Sequence, residues 1–107
     1  MRVTVQLRSR VLMKAALSRF FLFTMFFVYI LYSSKLDRYY TGSAEDVVTR
    51  LARHNQGYVT ATRNGLPWEL QYTETFVTRA EALKRELEIK RKKSRKYIGG
   101  LISNKRD

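Results

Sequence analysis

Glu86 is the residue that a purely architectural reading of this sequence leaves unexplained. Ala82, Leu83, Leu87 and Ile89 recur around it at helical spacing. At about 100° per residue, Glu86 falls between the Ala82/Ile89 and the Leu83/Leu87 directions. A carboxylate aimed into an apolar helix face is costly, so it needs a cationic partner, such as Arg50 or Lys90, or it lines a cleft. Arg50 and His54 stand four residues apart, together at one border of another helical stripe. Tyr29 and Tyr40 lie in two strand-like stretches on either side of a polar turn. Such a set suits phosphodiester hydrolysis. A fixed guanidinium, Arg50, neutralises charge on the phosphoryl oxygens. A single carboxylate, Glu86, can hold Mg²⁺ (or Mn²⁺) together with water and the phosphate oxygens of the substrate. Tyrosine or neutral histidine relays the proton. A tyrosine pair in a hairpin is by itself more often core packing, so the reading rests on the set.

These side chains need elements to position them. The β-branched and aromatic run Phe26-Phe27-Val28-Tyr29-Ile30-Leu31-Tyr32 reads as a strand. Polar residues 33–37 read as a turn, and Arg38-Tyr39-Tyr40-Thr41 as the returning strand. A hairpin centred near Ser34 and Lys35 places Tyr29 opposite Tyr40. Gly42 ends that strand in a tight structural turn, and Ser43 with Asp46 forms a capping box for a helix whose inner stripe is Val47, Val48 and Leu51. Asn55-Gln56-Gly57 stops it, and a loop without periodicity follows. Trp68, Leu70 and Tyr72 alternate with polar residues, the pattern of a third strand with one buried face. Thr78 and Glu81 cap a second helix that runs to about Lys96, with Ala82, Leu83, Leu87 and Ile89 inward and Lys84, Arg85, Glu88, Arg91 and Lys92 outward. Residues 97–102 read as a short apolar tail docking back on the sheet.

Composition narrows the function. A net charge of +12 on 107 residues exceeds what solubility needs and implies an anionic partner. The absence of cysteine excludes disulfides, thiolate metal sites and a cysteine nucleophile, and a single histidine excludes a multi-histidine zinc centre. The length suits one domain with a modest core.

The front of the chain imitates a membrane anchor. Arg2, Arg8, Arg10, Lys14 and Arg19 precede an apolar run over residues 20–32. That run is shorter than the roughly 18–20 apolar residues that span a bilayer, so no stable membrane insertion is expected. A doubly buried strand from Met25 to Tyr32 accounts for its second half. Residues 1–24 are read as an extension without fixed structure, or as the product of a translation start placed upstream of Met25. The domain is read as residues 25–102, followed by a tail over residues 103–107.

Taken together, the residues resemble the GIY-YIG nuclease superfamily, in particular its small bacterial members. Phe27-Val28-Tyr29 stands at the GIY position and Tyr40-Thr41-Gly42 at YIG. The following helix pattern is matched by Gly42 to Asp46, Arg50-Leu51 and His54-Asn55, the third strand by Pro67-Trp68 and Tyr72-Thr73-Glu74, and the acidic helix by Glu81 to Glu86. The resemblance implies an α/β fold, a small three-stranded antiparallel sheet flanked by helices, and Mg²⁺-dependent DNA cleavage. It implies that Tyr29 and Tyr40 lie in the cleft, that Arg50 stabilises the scissile phosphate, and that Glu86 holds the metal. The general base is left among Tyr29, Tyr40 and His54. Phe27 replaces the glycine of GIY and Thr41 the isoleucine of YIG. The loop over residues 60–63 lacks a basic residue associated with this segment in the family, and Arg63 is the nearest candidate for gripping substrate.

The expected activity is therefore a cytoplasmic endonuclease. Its cationic run Lys90-Arg91-Lys92-Lys93-Ser94-Arg95-Lys96 tracks DNA backbone without reading sequence. No recognition module is evident, so selection by DNA structure is expected, with RNA not excluded. The alternative is a non-catalytic basic DNA- or RNA-binding module derived from the same fold. Nothing in the sequence sets the oligomeric state.

Overall fold

A computed structural model describes residues 25–106. The inference about residues 1–24 lies outside the described residues. The first apolar stretch forms strand β1 (Phe26–Ser33), the centre of an antiparallel sheet ordered β2-β1-β3, with β2 spanning Arg38–Ala44 and β3 Trp68–Phe76. Helix α1 (Val47–Asn55) follows β2, and a short 3-10 turn (Arg63–Gly65) precedes β3. Helices α2 (Arg79–Lys92) and α3 (Arg95–Arg106) close the fold. Val28, Tyr29, Ile30 and Leu31 are essentially inaccessible to solvent because β1 is covered on both faces. That explains why its sequence is apolar without alternation. No helix among the described residues is long and apolar enough to cross a membrane.

One face of the sheet carries Phe27, Tyr29, Leu31 and Trp68, packed against Val47 and Leu51 of α1. The other carries Val28, packed against Ala82 and Ile89 of α2 and Tyr97, Ile98 and Leu101 of α3. The helix cap at Thr78 with Glu81 forms as the sequence predicts, each partner bonding the other's backbone N–H.

Several local expectations are corrected. The β1–β2 turn spans residues 34–37, with Asp37 in the left-handed region, so Tyr29 pairs with Gly42 and Tyr40 with Leu31. The shift in register is two residues, an even number, so Tyr29 and Tyr40 still share a face. Strand β2 continues through Ala44, and Asp46 caps α1, accepting from Thr49 N at 3.1 Å. Ser43 is therefore a strand residue. Val48 is exposed, leaving Val47, Leu51 and His54 as the inner stripe of α1. The pairing of β1 with β3 slips between Ile30 and Leu31, where Tyr72 and Leu70 are the partners and Gln71 is the extra residue. This bulge sends Trp68 and Leu70 to the α1 face and Tyr72 to the other, so the three do not share one buried face.

Helix α2 stops at Lys92, because Lys93 adopts a left-handed conformation and caps it. The cationic run thus bends through a corner, and residues 97–102 belong to a helix that docks on the sheet. The inward face of α2 is Ala82 and Ile89 alone, since Leu83 and Leu87 are 45% and 48% exposed. Arg85, expected outward, is turned in against Glu74.

Candidate active site

Tyr29 lies near the middle of β1, and its hydroxyl reaches across the sheet face to α1. It stands 2.9 Å from His54 Nε2, and His54 Nδ1 stands 2.7 Å from Thr62 Oγ1. Thr62 gives its one hydroxyl proton to the Val59 carbonyl at 3.3 Å, so its oxygen accepts from His54 Nδ1–H. Nε2 is then the unprotonated nitrogen and accepts from the Tyr29 hydroxyl. Tyr29, His54 and Thr62 are all buried, and every buried side-chain polar atom among the described residues is satisfied. Burial, then the charges of Arg50 and Arg53, pushes the His54 pKa below its ordinary value and keeps the ring neutral. Burial first and the neighbouring Tyr40 second push Tyr29 up to about 12, opposed by Arg50 and aided by Glu86.

Tyr40 completes an aromatic cluster. Its ring centroid lies 6.4 Å from that of Tyr29, 5.0 Å from His54 and 6.3 Å from Trp68. Arg50, on α1, is close enough to bear electrostatically on both Tyr29 and His54. Glu86 comes from the opposite side, on α2. Its side chain is 14% exposed, with Oε1 accepting from Ser43 Oγ at 2.7 Å and Oε2 paired with Lys90 Nζ at 2.6 Å. The fold therefore brings Tyr29, Tyr40, Arg50, His54 and Glu86 to one region at the β2 side of the sheet. Glu86 does not sit amid an apolar face, as the sequence implied, but at its border beside Ala82 and Ile89.

Gly42 is not a turn residue. It lies inside β2 opposite Tyr29, and a Cβ there would stand 2.6 Å from the Tyr29 hydroxyl oxygen. The glycine is needed because the phenol crosses directly over the β2 backbone.

The cationic run is divided in its commitments. Lys90 is paired with Glu86 and lies 5.8 Å from the Tyr40 ring centroid. Arg95 donates to the Asp37 carbonyl at 2.6 Å and carboxylate at 3.0 Å and covers Tyr39, and Lys92 lies over Tyr97. Arg91, Lys93 and Lys96 have no described carboxylate partner. Arg63 lies on the 3-10 turn beyond Thr62, donating to Thr60 Oγ1 at 3.4 Å.

Three supporting residues escape sequence reasoning. Thr62 fixes the His54 tautomer from a loop that shows no periodicity. Trp68 holds that loop, its indole N–H donating to the Thr62 carbonyl at 2.7 Å. Asn55 accepts from Trp68 N at 2.7 Å and donates to its carbonyl at 3.0 Å, fastening α1 to β3. Ser43 was misread as a cap because hydroxyl and acid stand at the spacing of a capping box. The signals available for Asn55 are a carboxamide beside the helix stop and its place in the His54-Asn55 pair of the family pattern, neither of which shows that it bonds the Trp68 backbone.

The family model described as the GIY-YIG catalytic domain matches residues 25–98. A UPF0213 protein of Staphylococcus epidermidis is 52% identical over 52 residues, 48% of this chain and 63% of that protein. The chain thus spans less than two thirds of that relative's length. UPF0213 proteins of Staphylococcus aureus are 46% identical over 65 residues, covering 60% of this chain and 78% of theirs. Among solved structures, the solution NMR structure of a UPF0213 protein from Bacillus halodurans is similar at 34% identity and a TM-score of 0.49, over 76% of this chain and 85% of that one. With the family model covering the sheet, both site-bearing helices and the start of α3, this chain belongs to the GIY-YIG nuclease superfamily.

Proposed function

We propose that this protein is a metal-dependent endonuclease that hydrolyses DNA phosphodiester bonds, selecting its substrate by structure rather than sequence. The observation that carries this reading is the buried hydrogen-bonded chain Tyr29–His54–Thr62, which ends beside Arg50 and Glu86. An inert core would not need a neutral histidine held in one tautomer under a tyrosine hydroxyl.

The donor set fits Mg²⁺ or Mn²⁺. Among the described residues no group of three His, Cys, Asp or Glu side chains could cage a metal, and the carboxylate beside Tyr29 and Arg50, Glu86, is the ligand this reading assigns. A hard ion that keeps several waters and takes phosphate oxygens suits one carboxylate. When bound it would stabilise charge on the leaving oxygen and acidify water.

The residues of the chain supply the rest. Arg50 stabilises charge on the scissile phosphate. The attacking water gives a proton to the Tyr29 oxygen as Tyr29 passes its own to His54 Nε2. The new O–P bond forms, the scissile P–O bond breaks, and the leaving oxygen takes a proton from solvent. This relay avoids a free Tyr29 phenolate, which a pKa of about 12 makes scarce at neutral pH. Arg91, Lys93 and Lys96 track the backbone, and Arg63 grips it near the loop.

The Lys90–Glu86 ion pair favours a second reading, a non-catalytic nucleic-acid binder in which Glu86 is structural. The test is cleavage of branched, nicked and linear DNAs, with RNA counterparts, by wild type and Glu86→Ala. Mg²⁺-dependent cleavage that disappears in Glu86→Ala supports the nuclease. Equal binding with no cleavage by either protein supports the binder.

A further inference from the structure

Both oxygens of Glu86 already have partners, and the partners differ in kind. Ser43 Oγ bonds Oε1 from a strand whose backbone is fixed by pairing with β1. Lys90 Nζ bonds Oε2 from the end of a flexible four-carbon stem one helical turn away, with its side chain 45% exposed. A carboxylate as enclosed as Glu86 needs positive charge whenever no cation is bound to it. Lysine can supply that charge and withdraw it, because its ammonium is a point charge on a mobile stem. The ammonium also lies against the Tyr40 ring, on the side of the candidate site. On leaving Glu86 it would therefore remain where a phosphate would bind.

We propose that Lys90 is a displaceable counter-ion: in the free protein its ammonium holds the Glu86 oxygen that a divalent cation requires, and an incoming nucleic-acid phosphate draws it off, so that metal and nucleic acid load together. The inference rests on the metal-binding role read for Glu86 above. Ser43 keeps Oε1 throughout, so Oε2 is the oxygen exchanged between ammonium and metal. Lys90 is a positioning residue that acts through Glu86. Linkage makes the coupling reciprocal: phosphate that removes Lys90 tightens metal binding, and metal that displaces Lys90 tightens phosphate binding.

The test uses the full 107-residue chain. Mn²⁺ affinity is measured by calorimetry without DNA, and affinity for a branched DNA by fluorescence anisotropy in EDTA. Wild type is compared with Lys90→Gln, Lys90→Arg and Glu86→Gln, each checked for folding by circular dichroism. Lys90→Gln is expected to bind Mn²⁺ about tenfold more tightly than wild type and DNA several-fold more weakly, with Lys90→Arg close to wild type. Mn²⁺ affinities for wild type and Lys90→Gln that agree within about twofold overturn the exchange. If Glu86→Gln abolishes Mn²⁺ binding in that case, the metal role of Glu86 stands and only the exchange falls. If Glu86→Gln leaves Mn²⁺ binding intact, both fall.

Discussion

Replacing Gly42 by alanine tests the site through its least reactive member. The added Cβ would stand 2.6 Å from the Tyr29 hydroxyl oxygen, 2.7 Å from its Cζ and 3.2 Å from its Cε2. The obstructing atoms belong to a ring buried to 1% exposure, whose hydroxyl is bonded to His54 at 2.9 Å, so they have little room to give. Restoring ordinary contact requires a displacement of roughly 0.8 Å at the phenol oxygen. Overpacking of this kind costs about 1–3 kcal/mol, and straining or breaking the buried Tyr29–His54 bond adds about 1–3 kcal/mol. Partial relaxation shared between β2 and the ring makes a total of about 2–4 kcal/mol the expected destabilisation. Urea unfolding monitored by the single tryptophan, Trp68, reads this directly. Cleavage should fall further than stability, by about a hundredfold, because a shift near 1 Å in a positioning group costs about that much in rate. Gly42→Ala with a wild-type urea midpoint and wild-type cleavage would refute the argument that the phenol must cross the backbone there.

Acid should weaken the fold through His54. Its folded pKa is depressed by burial, so the unfolded chain binds the proton more readily. The stabilisation is complete above the unfolded value, near 6.5, and is lost as pH falls through the folded value. The urea midpoint should drop on acidification below about pH 6.5, and less so in His54→Gln, which lacks the titrating ring. Arg85→Met should cost about 2–4 kcal/mol by denaturation, since it strips half-buried Glu74 of a two-pronged partner, and the protein that remains folded should bind Mn²⁺ several-fold more weakly, because the clamp that orients Glu86 is gone. DNA affinity should fall steeply with salt, and Lys93→Gln with Lys96→Gln should lower the log–log slope by about 2. Arg95→Gln should change it less, because Asp37 already engages that guanidinium.

The parts of this fold that were legible in the sequence are those set by local chemistry. The apolar strand, the Thr78–Glu81 cap, and the pairing of Arg50 with His54 on one helix face follow from side-chain type and spacing within a few residues. The errors arose where a distant contact overrode the local pattern. Ser43 and Asp46 satisfy the spacing of a capping box, yet pairing with β1 holds Ser43 extended and delivers it to Glu86. Lys90 to Lys96 reads as one helix, yet docking of Tyr97, Ile98 and Leu101 on the sheet requires a break at Lys93. Leu83 and Leu87 have the spacing of a core stripe, yet the sheet meets α2 on the Ala82–Ile89 line. Thr62, a partner of His54, has no pattern of its own and becomes visible only when Trp68 and His54 are placed around it.

The bulge at Gln71 links these two kinds of information. Without it, Tyr72 would face α1 along with Trp68, and Glu74 would be on the wrong side of the sheet to meet Arg85. With it, the first part of β3 supports the His54 loop through Trp68, and the second part anchors α2 through Glu74. Arg85 and Glu86 are neighbours on α2, about 100° apart around its axis. Arg85 turns toward β3 and α3, where it bonds Glu74 and the Tyr97 hydroxyl, with Glu88 of its own helix as a third partner, and Glu74 in turn accepts from Tyr72. Glu86 turns toward β2, where it meets Ser43. A helix clamped at one such position cannot rotate about its axis, so the Arg85 network sets the direction in which Glu86 points. The charge that stabilises the second face of the sheet thereby fixes the carboxylate offered to the first.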